Sequence, residues 1–163
     1  MRLTADDVVY VHDRLIAEHG GAAGIVNRRM IEYAADAASR KKDPVYEAAA
    51  ILEFLAKNHP FLDGNKRTAF ASAAVALRLE GRRVAAPDGD AAAFMLEVAA
   101  NRLTLTQVAT WLNDRLEARI GEEAHPARSE SGVPQALEED AKRRAIDETL
   151  EAHRTLMRKL SEL

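Results

Sequence analysis

From residue 59 the chain reads His59-Pro60-Phe61-Leu62-Asp63-Gly64-Asn65-Lys66-Arg67-Thr68-Ala69-Phe70, which sets a base, a carboxylate, a glycine turn and two cations in one short stretch. Residues of these types handle phosphate. With an unperturbed pKa of about 6.5, His59 can take a proton from an attacking hydroxyl at neutral pH. Asp63 offers the hard oxygen favoured by Mg2+, an ion that binds through one or two carboxylates and completes its shell with substrate phosphate. Gly64 permits close backbone approach, and Asn65 tolerates the left-handed conformation of an anion-binding nest. Lys66 and Arg67 would face polyphosphate oxygens, the lysine as a point charge and the arginine as a bidentate fork. Phe61 is the apolar anchor of the loop. Taken singly, a histidine beside a helix is usually structural, Asp-Gly-Asn is usually a turn and Lys-Arg usually a solvated face; the joint spacing carries the reading.

The elements that must position these groups are helices. Residues 48–55 and 70–79 are apolar and helix-favouring, so the polar stretch is a loop feeding a helix N-terminus, where free N–H groups and a partial positive charge attract an anion. Upstream, Thr4-Ala5-Asp6-Asp7 is an N-cap with acids in the first turn of a helix running to about His19, which Gly20 and Gly21 stop. Residues 20–27 form a loop, residues 28–39 are helical by the spacing of Met30, Ile31, Tyr33 and Ala34, and Pro44 opens a helix that reaches Asn58. The motif helix spans about residues 66–80 and ends at Gly81. Residues 88–100 and 104–118 are two more helices, with apolar faces of Ala92, Met95, Leu96 and Ala99, and of Val108, Trp111, Leu112 and Leu116. Trp111 reads as core because no second aromatic flanks it, and Asp88-Gly89-Asp90 as a helix start rather than a calcium loop. Arg83-Val84-Ala85 is the one short strand candidate.

At 163 residues and 47% hydrophobic composition the chain suits one domain with a real core, and abundant alanine with few aromatics favours an all-α fold. It has no cysteine, hence no disulfide framework, and neither a membrane-length apolar run nor a signal-peptide pattern, so a cytoplasmic location is the default. A net charge of -3 argues against a general nucleic-acid binder. Residues 121–135 contain Gly121, Pro126, Ser129, Ser131, Gly132 and Pro134, a linker composition. Residues 136–160 are strongly helical, with Glu138/Lys142, Glu139/Arg143 and Asp140/Arg144 at i,i+4 spacing. Ile146, Leu150, His153, Met157 and Leu160 form a seam that needs a partner surface. Residues 121–163 hold 7 Lys and Arg against 10 Asp and Glu, the whole of the net charge.

The loop resembles the motif of the Fic/Doc family, whose pattern is His-x-Phe-x-Asp/Glu-Gly-Asn-Gly/Lys-Arg; His59, Phe61, Asp63, Gly64, Asn65 and Arg67 each match it. Lys66 points to the death-on-curing, or Doc, branch, since adenylylating members typically carry a second glycine there and a further arginine where this chain has Phe70. Met1-Arg2-Leu3-Thr4, His12-Asp13 and Gly20-Gly21-Ala22-Ala23-Gly24-Ile25 also look like the N-terminal helix and glycine loop of that branch, so the likeness covers residues 1–120. It implies an all-α Fic/Doc catalytic domain over 1–120, followed by the linker and an added C-terminal helix over 136–163.

The resemblance further implies a toxin of a toxin-antitoxin system, acting as a protein kinase that moves the γ-phosphoryl of Mg2+-bound ATP to a threonine of elongation factor Tu and stops translation. Carried over, His59 is the base, Asp63 the Mg2+ ligand, and Gly64, Asn65, Lys66 and Arg67 the phosphate cradle. Lys57 stands where that branch has a further functional arginine and keeps the charge without the fork, and Ala71 replaces an asparagine. Two other readings stand beside this one: adenylylation, with the nucleotide turned round in the same loop, and a catalytically silent interaction module. Doc is neutralised by the C-terminal helix of a partner antitoxin, so residues 136–163 are expected to act either as a built-in inhibitor or as a homo-oligomerisation helix. The Ser/Thr-x-x-x-Glu-Gly/Asn inhibitory motif of self-restrained Fic proteins is not found in this sequence.

Overall fold

Helix ends are fixed by local chemistry that the chain spells out. Thr4 accepts from the Asp7 N–H while the Asp7 carboxylate accepts from the Thr4 N–H, a closed capping box that starts α1 (Ala5–His19). Asn27 caps α2 (Arg28–Ser39) through the Met30 N–H, and Asp43 caps α3 (Pro44–Asn58) through the Val45 N–H, with Pro44 in the first turn. The motif helix α4 (Asn65–Leu79) follows, then β1 (Arg83–Val84), α5 (Asp88–Ala99), α6 (Leu105–Asp114), β2 (Leu116–Glu117), α7 (Gln135–Ala152) and α8 (Arg154–Ser161). This computed structural model describes residues 2–117 and 135–163. The fold is all-α, as the alanine-rich composition predicts.

α4 is the central helix. Every residue from Arg67 to Val75 is buried, because alanine and serine on all sides let neighbouring helices approach closely. α3 lies along α4 and itself carries α2, α5 and α6, while α1, α7 and α8 cover the rest of α4. One apolar core joins all of them. Among the described residues no helix is long and apolar enough to cross a membrane.

Several local expectations are corrected. α6 stops at Asp114 rather than continuing to residue 118, because Leu116 and Glu117 pair antiparallel with Val84 and Arg83; Leu116 therefore belongs to a strand and not to a helical face. The helix expected over 136–160 is broken at His153 into α7 and α8. Leu96 and Tyr33, placed on apolar faces by spacing, are exposed. Trp111 does have an aromatic neighbour, Phe94, stacked at 3.9 Å, and it packs against the core beneath the Arg115 guanidinium. The linker assigned to residues 121–135 falls outside the described residues except for Gln135, which begins α7.

The C-terminal seam finds its partner surface within the chain. Ile146, Leu150, Met157 and Leu160 are buried in the common core, and His153 meets Phe70 edge-on at 5.4 Å. Lys142 and Arg143, expected to pair along the helix surface, reach to α1 instead: Lys142 is buried and bonds to buried Asp7 at 3.1 Å, and exposed Arg143 covers the Tyr10 ring. Burial works against the lysine charge, yet its bonds to Asp7 and Glu139 outweigh this and raise its pKa.

Candidate active site

α3 ends at Asn58, and His59 terminates it in the left-handed conformation, with φ 50° and ψ 60°. A histidine tolerates this region better than most side chains, and here it sends the chain away from the helix axis and leaves the imidazole exposed. Phe61 then drops into the core at 1% exposure. Its backbone bridges to Ile25, flanked by bonds from the Leu62 N–H to the Gly24 carbonyl and from the Val26 N–H to the Pro60 carbonyl, so the glycine loop and the motif loop run side by side as extended chain.

The turn is closed by Asn65. Its Oδ1 accepts from the Phe61 N–H at 3.0 Å and its Nδ2 donates to the Phe61 carbonyl at 2.9 Å, a pairing that imitates one rung of a sheet. Asn65 is the first residue of α4 and helical; the left-handed positions expected at Asn65 lie at His59 and Gly64 instead. Its side chain is engaged in this clamp, and its backbone N–H lies among those at the helix start.

Gly64 caps α4 at φ 79° with no side-chain cap, and the first N–H to find a helical partner is that of Thr68, on the Gly64 carbonyl. The N–H groups before it are those a helix start leaves for an anion. Asp63 stands beside them, half exposed. Its Oδ1 accepts from the Gly64 N–H at 2.7 Å and its Oδ2 from the Ala22 N–H at 3.2 Å; the Gly64 bond is the main cause that holds its pKa below the ordinary aspartate value, with Ala22 and Arg67 adding to it. The carboxylate is thus charged, oriented and open on one side, which fits a Mg2+ ion that takes one protein carboxylate and draws its other ligands from phosphate and water. Among the described residues no group of three or more His, Asp or Glu could hold a metal without such help.

Arg67 is partly engaged within the protein. The guanidinium is buried, donates from Nη1 to the Gly20 carbonyl at 2.9 Å and lies 3.9 Å from Asp63, which ties the end of α1 to the motif. Burial lowers its pKa, opposed by Asp63, yet an arginine at such a site remains protonated. Lys66 is half-buried and lines the same pocket as His59, Asp63, Gly64, Asn65 and Arg67. Lys57 does not line it: its ammonium pairs with Glu53 one turn back on α3, at 3.3 Å.

Two residues that position the site are not obvious from the motif. His12 on α1 is fully buried, with its ring stacked on Phe61 and its Nε2–H donating to the Asp63 carbonyl. Its signal is a histidine inside the apolar run Val8, Val11 and Leu15, which needs a buried polar partner. Gly21, read from sequence as a helix stop and part of a glycine loop, sits at φ 113°; a Cβ there would lie 2.6 Å from Asp63 Oδ2 and 2.9 Å from Arg67 Nη2. The loop can approach the carboxylate this closely only as glycine.

Comparison with known proteins places the chain in a family. Residues 2–77 match the Fic/DOC family. The protein called Toxin Doc from Mycolicibacterium smegmatis is 36% identical over 113 residues, a stretch that covers 68% of this chain and 85% of that protein.

Proposed function

The chain belongs to the Fic/DOC family, and from that we propose that it is the toxin of a toxin-antitoxin pair, a transferase that moves the γ-phosphoryl of ATP to a protein hydroxyl. Elongation factor Tu is the proposed target, through a threonine, with arrest of translation in the cytoplasm as the outcome and a cognate antitoxin as the restraining partner. The observation that supports this best is the placement of Lys66, a charged and oriented Asp63 and an exposed His59 round the uncapped start of α4.

In this reading the α4 N–H groups and Lys66 bind the phosphate tail, with Arg67 behind them. His59 accepts the proton of the threonine hydroxyl as its oxygen attacks the γ-phosphorus. The bond from that phosphorus to the bridging oxygen breaks, ADP leaves, and His59 releases its proton to water. Mg2+ at Asp63 would supply charge to offset that building on the bridging oxygen. Most of the work is positioning, which the Asn65 clamp and the His12 stack provide.

Incubating the protein with elongation factor Tu and ATP labelled on either the γ- or the α-phosphate tests the proposal. Label from the γ-position on the target is the expected result. Label from the α-position would assign adenylylation, and no label from either would leave the silent interaction module.

A further inference from the structure

Away from the cradle, the turn at which α7 passes into α8 borders a second cavity. Its volume is about 410 Å3, within the range of about 300 to 1,000 Å3 typical of sites for small organic ligands. Its lining shares no residue with the pocket round His59, Asp63 and Lys66. One wall is the chain between β1 and α5, residues 84–87, all apolar, and Ala152 stands at the end of α7. Three polar side chains complete the lining: Arg83 from β1, Asp88 from the first turn of α5, and His153.

Each of the three has bonding capacity to spare. Arg83 faces Glu117 across the strand pair at 3.8 Å, too long for a hydrogen bond, and its guanidinium donates to no other group among the described residues. The Asp88 carboxylate accepts no hydrogen bond from a described residue and does not pair with Arg83. The His153 ring meets Phe70 edge-on and has no hydrogen-bond partner among the described residues. Burial first, then Arg83 and Arg78, lower the His153 pKa against the opposing pull of Asp88, so at neutral pH the ring is uncharged and offers one donor and one acceptor.

One cation and one anion, unpaired with each other and set round a neutral ring, select a ligand by its charges. A bare anion is drawn to Arg83 and repelled by Asp88, and a bare amine meets the reverse. A zwitterion satisfies both at once. We propose that this cavity is a second ligand site and that it takes a small aliphatic amino acid, with its carboxylate on Arg83, its ammonium on Asp88 and its side chain against residues 84–87. The planar fork of Arg83 suits a carboxylate, and the apolar wall gives the aliphatic part a surface to cover. The inference does not depend on the transferase reading, since the two pockets have no residue in common.

The five histidines of the full-length protein give the readout. With isotope-labelled histidine, the ring resonances are followed during titration with L-alanine, L-valine and L-leucine. At least one of the three should move the His153 signals saturably, with a Kd of about 1 mM or tighter, and leave those of His59 in place. The matching amine and the matching carboxylate, isobutylamine and isovalerate in the case of valine, each lack one charge and should bind about tenfold or more weakly. Arg83→Gln and Asp88→Asn should each weaken binding of the amino acid by a similar factor. The proposal is overturned if no amino acid gives a saturable His153 shift, if all the histidines move together, if either single-charge analogue binds as well, or if either folded variant binds with unchanged affinity. The analogue titrations use the native protein, so they decide the matter even where a variant does not fold.

Discussion

His12 lies flat against Phe61, ring centroids 3.9 Å apart and planes 6° from parallel. From the same place its Nε2–H donates to the Asp63 carbonyl at 2.8 Å; a carbonyl only accepts, which fixes the proton on that nitrogen. One buried side chain thus holds both the anchor of the loop and the turn that carries its carboxylate. Replacing His12 by Phe keeps an aromatic ring on Phe61 and removes the bond, so urea unfolding should show a loss of about 1–3 kcal/mol, the cost of an unsatisfied buried carbonyl. Transfer should fall on the order of tenfold as Asp63 loses its fixed position. An unchanged transfer rate would mean that the neighbouring bonds hold Asp63 unaided.

His59→Gly separates chemistry from folding. At φ 50° the native residue bears the strain of a left-handed side chain, about 1–2 kcal/mol for an ordinary L-residue and less for histidine, and glycine bears none. Thermal melting should therefore occur at the same or a higher temperature, while transfer drops about 10²–10⁴-fold with the loss of the base. A stable glycine variant at full rate would remove His59 from the mechanism.

Asp63→Asn keeps the shape of the side chain and removes its charge. Nucleotide titrations with and without Mg2+ should show a marked Mg2+ dependence in the native protein and little in the variant. Because the folded pKa of Asp63 is depressed, its contribution to stability is fully present above the unfolded value and is lost as pH falls through the folded one, a window below about pH 4. The part of the acid-side decline due to this group should vanish in the variant. Identical Mg2+ titrations would reduce Asp63 to a turn residue.

Gly21→Ala places a methyl group 2.6 Å from Asp63 Oδ2 on a backbone at φ 113°. Either the loop or the carboxylate must shift, so stability should fall by about 1–3 kcal/mol and transfer should fall with it. The matched control is Gly20→Ala, at φ 82° with open space around its Cβ, which carries the strain without the clash. Equal transfer rates in the two variants would show that the close approach at Gly21 has no bearing on the site.

Much of the site is legible in the sequence because its groups are near neighbours along the chain and their types have few other joint uses. The starts of α1 to α3 are legible for a related reason: Thr4, Asn27 and Asp43 each satisfy a donor a few residues on. What escapes is non-local. α6 ends early because Leu116 and Glu117 find Val84 and Arg83, and no window around residue 115 contains them. The break at His153 falls inside an unbroken apolar period, so spacing alone continues the helix. Arg67 shows the same limit: its cationic type is plain in sequence, but the Gly20 carbonyl that engages it lies on another element.

Asn65 and Phe61 form a two-way exchange in which one amide group faces another, donor to acceptor and acceptor to donor. Such a match is sensitive to a single atom. Hydrolysis of the Asn65 amide to a carboxylate would put oxygen where nitrogen now faces the Phe61 carbonyl and turn an attraction into a repulsion, with almost no change of volume. Chemical ageing at this side chain would therefore unlatch the loop while the helices stayed in place, and Asn65→Asp, judged by retained helical circular dichroism alongside lost transfer, should reproduce the aged protein in one step. A one-atom change at Asn65 thus reaches the site through the loop and not through the helices that carry it.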